Sequence, residues 1–197
     1  MKFIIHAAFA VALLGLAACA DTPPPAPKGD IGFSGAPLRL DVATVAIDNQ
    51  YVPSGQAPNI EQLHEVTPST VAERWLQTRV VPVGTDGQAL LTIYDARVVE
   101  VKLSTKGGLT GFFGDQVDTK IIGTLRAELT VMKQQSAGGT SVYKAGVTAS
   151  SEQTLLQSAT LNERDQAYFD LTKKLSAEFD RVLTAEVRRT MTPALRN

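Results

Sequence analysis

The stretch TKIIGTLRAELTVMK, residues 119–133, decides the fold. Ile121, Leu125, Ala127, Leu129 and Val131 share one parity, and Thr124, Arg126, Glu128 and Thr130 share the other. Side chains alternate across a strand with period two, so this segment is a half-buried antiparallel strand with one polar face. Downstream, Gly138-Gly139 makes a turn, and residues 141–154 return as a strand with Tyr143, Ala145, Val147 and Ala149 inward. Upstream, residues 88–103 read as one long strand. Leu91, Ile93, Val99, Val101 and Leu103 are on one parity there, and Tyr94, Ala96 and Val98 are on the other.

Moving outward, Thr67-Pro68 is an N-cap followed by proline at the first helical position, opening a helix over 69–80 that places Val71, Trp75 and Leu76 together. Residues 48–66, with Pro53, Gly55 and Pro58, show no period. Leu38, Leu40 and Val42, then Val45 and Ile47, read as a first strand with a phase change near Thr44. At the other end Asn162 is read as the cap of a long helix. Its stripe is Tyr168, Leu171, Leu175, Phe179, Val182, Leu183 and Val187, and it closes at Pro193. The expected fold is α+β: a two-layer sandwich of about four mostly antiparallel strands covered by two helices, in the order strand-helix-strand-strand-strand-helix.

The start of the chain carries an address. Lys2, an apolar run over 3–16 and Leu16-Ala17-Ala18 lead directly into Cys19. The run is too short to cross a bilayer, which takes roughly 20 residues, and has the form of a secretory signal. Leu-Ala-Ala-Cys resembles the bacterial lipobox. That resemblance implies cleavage after residue 18, diacylglycerol on the Cys19 thiol and an acyl chain on the new N-terminus. Ala20 rather than Asp after the cysteine, by the same resemblance, implies the periplasmic face of the outer membrane, while Asp21, one place later, keeps the inner membrane as the alternative. Residues 19–37 are rich in proline and glycine, and Pro23 to Pro27 favour an extended spacer. The organisation expected is therefore signal 1–18, lipidated tether 19–37 and one domain over 38–197.

Composition narrows function. With 19 basic and 20 acidic side chains there is no basic excess to attract nucleic acid. Cys19 is the one cysteine, and once residues 1–18 are removed His64 is the one histidine. No His or Cys metal cage, and no cofactor beyond the covalent lipid, is expected. His64 lies between Glu61 and Glu65, a catalytic dyad on paper, but the reading taken is an exposed loop residue. Gly32-Phe33-Ser34-Gly35-Ala36 misses the nucleophile elbow at its last position and lacks the strand–turn–helix setting.

Lys106-Gly107-Gly108-Leu109-Thr110-Gly111-Phe112-Phe113-Gly114 joins two strands rather than a strand and a helix, so it is no phosphate cradle. Its apolar Leu109, Phe112 and Phe113 have two readings: cover for the end of the core, or contact with a membrane or partner protein. Asp95 and Arg97 fall on an otherwise apolar parity of a central strand. Either the strand twists to bring them to its edge or they pair with each other or with Arg126 or Glu128, with a ligand-binding role the last reading.

With that order of elements, the chain resembles the small lipoproteins that assist envelope transport. In topology it is similar to the lipopolysaccharide-assembly lipoprotein family LptE and to the auxiliary lipoproteins of lipid-transporting ABC systems. Asp95-Ala96-Arg97-Val98-Val99-Glu100, Gly108-Leu109-Thr110-Gly111-Phe112-Phe113 and Leu161-Asn162-Glu163-Arg164 resemble a group of alphaproteobacterial lipoproteins, which brings no activity with it. The resemblance implies a non-catalytic accessory of an envelope transport or assembly system, held by its lipid and bound to an envelope protein. The alternative is a carrier with a lipid or glycolipid ligand; a periplasmic enzyme comes third.

Overall fold

The computed structural model describes residues 30–104, 115–135 and 138–196. Cys19, Leu109, Phe112 and Phe113 lie outside the described residues.

The central alternation becomes β6 (Val117–Gln134), whose odd-numbered side chains from Thr119 to Val131 turn inward. Along one side it pairs antiparallel with β7 (Thr140–Leu156). Its other side is shared by two strands end to end, β4 (Gln88–Asp95) and β5 (Val98–Lys102). The expected single strand over 88–103 is thus broken. A bulge between Ile93 and Asp95 flips the inward parity, so Ala89, Leu91 and Ile93 are buried before it and Ala96 and Val98 after it. Both parities of apolar residues in that stretch are thereby used.

The expected first strand also divides. β1 (Leu38–Leu40) pairs in parallel with the short β3 (Val80–Pro82) in a separate two-stranded sheet. β2 (Thr44–Asn49) joins the main sheet parallel to β4. Seven strand segments are therefore present among the described residues, where about four were expected. The phase change near Thr44 marks a move between sheets rather than a bulge. Gly84 explains the tight seam there, since an added Cβ would stand 2.6 Å from the Asp41 carbonyl carbon and 2.7 Å from the Val42 amide.

Two helices line the buried face. α1 (Pro68–Arg79) starts where Thr67 accepts a hydrogen bond from the Thr70 amide. α2 (Leu161–Thr190) is capped not by Asn162 but by Thr160. The Thr160 hydroxyl accepts from the Glu163 amide at 3.3 Å while the Glu163 carboxylate accepts from the Thr160 amide at 2.7 Å. α2 packs on β6 at Gly123, where an added Cβ would meet Leu171 and Leu175 at 3.3 Å. The core joins Trp75, Leu91, Ile93, Leu125, Leu129, Leu175, Phe179 and Leu183. Ile31 is buried with them and Phe33 packs alongside.

Where α1 and α2 meet, the buried polar groups close on one carboxylate. Asp180 accepts from the Trp75 indole N–H and the Arg79 Nε, both at 2.8 Å, and from the Thr184 hydroxyl at 3.0 Å. Arg79 is 4% exposed and donates a further N–H to the Ala36 carbonyl at 2.8 Å. Trp75 and Phe179 stack edge to face with centroids 5.8 Å apart.

Candidate functional site

The first turns of α2 meet the aperiodic segment 48–66, and here the packing is of another kind. That segment reaches the sheet through Glu61, which is 1% exposed. Its carboxylate accepts from the Tyr51 hydroxyl at 2.5 Å, the Val98 amide at 3.0 Å and the Asn59 side-chain amide at 3.3 Å. Burial pushes the Glu61 carboxyl up, but these bonds, with one from its own amide, outweigh burial and hold it below the usual carboxylate range. Burial pushes the Tyr51 phenol far up, helped by the bond to Glu61 and its charge. Glu61 is therefore a structural anion that fastens an otherwise aperiodic loop to β5, and Ile60 adds a bond from its amide to the Val98 carbonyl at 2.9 Å.

Three residues on, His64 is not the exposed loop residue expected. Its side chain is 17% exposed and lies flat on the Tyr168 ring, with centroids 3.4 Å apart and an interplanar angle of 14°. Its Nδ1 is 3.9 Å from an Asp165 oxygen. Tyr168 is 3% exposed, and no hydrogen bond of normal geometry reaches its phenol oxygen among the described residues. The Thr172 hydroxyl, close enough to lower the phenol slightly, donates to the Tyr168 carbonyl at 2.9 Å. Burial first, then the nearby Glu61 charge, push this phenol up.

A cleft opens on each side of the His64–Tyr168 stack. The larger, about 340 Å³, lies between α1 and α2 and is lined by Ile31, Arg74 and Phe169 as well as the stack and Asp165. The smaller, about 200 Å³, is lined by Ile60, Glu100, Leu155 and Arg164, and by two leucines at its rim. Leu63 is 72% exposed and Leu161 is 75% exposed. Glu100 stands 3.5 Å from Lys102 and 3.9 Å from Arg164.

The described residues that flank 105–114 are held near the start of α2. Leu103 donates its amide to the Asp118 carbonyl at 2.7 Å, and Gln157 donates to Gln116 at 2.8 Å. The Ser158 amide donates to Asp115 at 3.2 Å, two residues before the cap of α2. The chain flanking 105–114 therefore lies near the start of α2, whose Leu161 lines the smaller cleft with Leu63, while Asp30 and Ile31 line the larger. Asp95 and Arg97 pair with each other at 3.5 Å. Among the described residues no group of three His, Cys, Asp or Glu side chains is placed to hold a metal. No described helix is long and apolar enough to cross a membrane.

The sequence marks Glu61 only as a neighbour of His64, Leu161 only within a resemblance and Tyr168 only as a member of the helix stripe. Nothing in the spacing of 48–66 marks Tyr51 or Leu63, or the buried role of Glu61.

No family model and no curated protein matches the chain. Among solved structures it is similar to a minor lipoprotein from Acinetobacter baumannii, at 12% identity and TM-score 0.38, covering 80% of this chain and 98% of that one. It is also similar to rare lipoprotein B from Shewanella oneidensis, at 12% identity and TM-score 0.37, covering 74% and 95%. A Xanthomonas campestris protein of family DUF330 matches at 9% identity and TM-score 0.28, covering 78% and 94%.

Proposed function

We propose that this protein is a lipid-anchored bacterial envelope protein, held at the periplasmic face of the outer membrane through Cys19. In this reading it is a non-catalytic accessory of an envelope transport or assembly system. The observation that carries it is the pair of exposed leucines, Leu63 and Leu161, on the rim of the smaller cleft, across the His64–Tyr168 stack from the cleft that Asp30 and Ile31 line. Burying a leucine side chain is worth about 1.5–3 kcal/mol, a gain open to a partner protein that covers this end. The reach fits as well: from Cys19 to Asp30 the chain spans at most about 40 Å, so this end stays near the membrane surface. The one histidine after Cys19 is stacked on Tyr168, which supports a non-catalytic reading.

The double variant Leu63→Ser with Leu161→Ser tests the proposal in cells. It should raise envelope permeability to a hydrophobic dye as far as deletion of the gene does, with protein abundance unchanged. Wild-type permeability in both the variant and the deletion strain would refute the accessory role.

A second reading, a lipid or glycolipid carrier, draws support from the cleft of about 340 Å³ between α1 and α2. That volume is at the small end of ligand sites, roughly 300–1,000 Å³, and fits one chain or a head group better than a whole diacyl lipid. Native mass spectrometry of the protein extracted from membranes would show a stoichiometric non-covalent lipid if this reading holds.

A further inference from the structure

The main sheet ends in an open edge. Among the described residues β7 pairs only with β6, which leaves its other side free along 17 residues. Long edge strands carry unpaired amides and carbonyls that can template another strand, and proteins usually blunt them. Which groups are free follows from the ladder. Thr124 donates its amide to Arg97, away from β7, so the Thr124–Ser150 pair is a non-hydrogen-bonded one. By alternation, Val142, Lys144, Gly146, Thr148, Ser150, Glu152 and Thr154 turn their amides and carbonyls outward.

Those outward residues hold a second pattern. Lys144 and Glu152 lie four positions either side of Thr148, and Thr148 is the midpoint of Thr140–Leu156. Both charged side chains are open to solvent, at 60% and 62% exposure. Gly146 sits mid-strand with no bulge beside it, and an added Cβ there would meet nothing within 4 Å. Nothing in the chain's own packing asks for glycine at that place, whereas close approach of another backbone does.

We propose that β7 pairs antiparallel with β7 of a second copy of this chain, about a twofold axis at Thr148. That register pairs the full strand with no overhang and sets Gly146 opposite Ser150 of the second copy. It also sets Lys144 opposite Glu152. Within each chain Lys144 already meets Glu128 at 2.8 Å and Lys120 meets Glu152 at 2.9 Å. The dimer therefore joins Glu128, Lys144, the second copy's Glu152 and its Lys120 into one row of alternating charge, and the twofold axis repeats the row. The continuous sheet that results keeps both helical layers on the same face, so each dimer carries two leucine-rimmed ends.

Charge exchange tests the register. Full-length chains with two different tags are co-expressed, extracted in detergent, and one tag is used to capture the other. Wild-type pairs should be recovered together. When both chains carry Lys144→Glu, or both carry Glu152→Lys, recovery should fall about tenfold, since like charges then face each other twice. A Lys144→Glu chain mixed with a Glu152→Lys chain should recover, because both contacts become complementary again. The substitution Thr148→Cys should give a disulfide-linked dimer on mild oxidation, which keeps the test open if a charge variant folds poorly. The proposal is overturned if wild-type chains do not co-purify or if the charge exchanges change nothing. It is equally overturned if the Thr148→Cys chain is captured by a different protein in place of a second copy.

Discussion

The two ends of α2 handle buried polarity in opposite ways. Near Asp180, Thr184 and the crossing with α1, a guanidinium, an indole and a hydroxyl converge on one carboxylate inside a close-packed aromatic core. At the first turns of the same helix, a stacked histidine and a tyrosine whose phenol lacks a well-formed hydrogen bond separate two clefts, with leucines facing water. The first arrangement commits every polar group to the fold. The second leaves apolar surface exposed and one buried phenol without a well-formed hydrogen bond. On the proposed reading, the first end serves the fold and the second meets a partner.

The largest losses of stability belong to the crossing. Trp75→Ala should cost about 3–5 kcal/mol, as cavity and lost hydrogen bond add, and Asp180→Ala should cost a similar amount by leaving Arg79 buried and unpaired. Chemical denaturation would read both as a lower midpoint for the entire domain.

Next comes Glu61, which belongs to the fold although it lies beside the clefts. Tyr51→Phe should cost about 1–3 kcal/mol by removing a bond to a buried carboxylate. Glu61 titrates lower in the folded chain than in the unfolded one. Its contribution is therefore complete above about pH 4.5 and is lost as pH falls through the folded value. Glu61→Gln should flatten that acid limb in thermal melts taken across about pH 3 to 6, whereas Tyr51→Phe should move the limb to higher pH.

The smallest effects on stability belong to the cleft end. Tyr168→Phe should be neutral or slightly stabilising, since it removes a buried hydroxyl that makes no sound hydrogen bond. A loss above about 2 kcal/mol would mean the phenol is satisfied after all and would weaken the contrast. Leu63→Ser and Leu161→Ser should each change stability by no more than about 0.5 kcal/mol, whereas on the proposed reading the two together should match the deletion in envelope permeability.

What could be read from sequence follows the same division. The alternation of 119–133 and the stripe from Tyr168 to Val187 are local periodicities, and each produced the right element. The break of 88–103 was visible as two parities of apolar residues, but only pairing against β6 shows that a bulge reconciles them. Thr160-Leu161-Asn162-Glu163 carries a capping-box spacing that a nearer Asn obscured. The parallel pairing of β2 with β4 and the transfer of β1 to another sheet depend on partners distant in the chain. At the site, His64 meets Tyr168 from the far end of the domain sequence, and Glu61 is buried by partners at positions 51, 59 and 98. No spacing rule connects such positions in a single sequence.

The most direct measurement is photo-crosslinking in living cells from Leu161, with Arg188 at the opposite end of α2 as the reference position. Leu161 should capture one envelope protein repeatedly, and Arg188 should not. Capture of the same protein from both positions, or from Arg188 alone, would contradict the assignment of function to the cleft end.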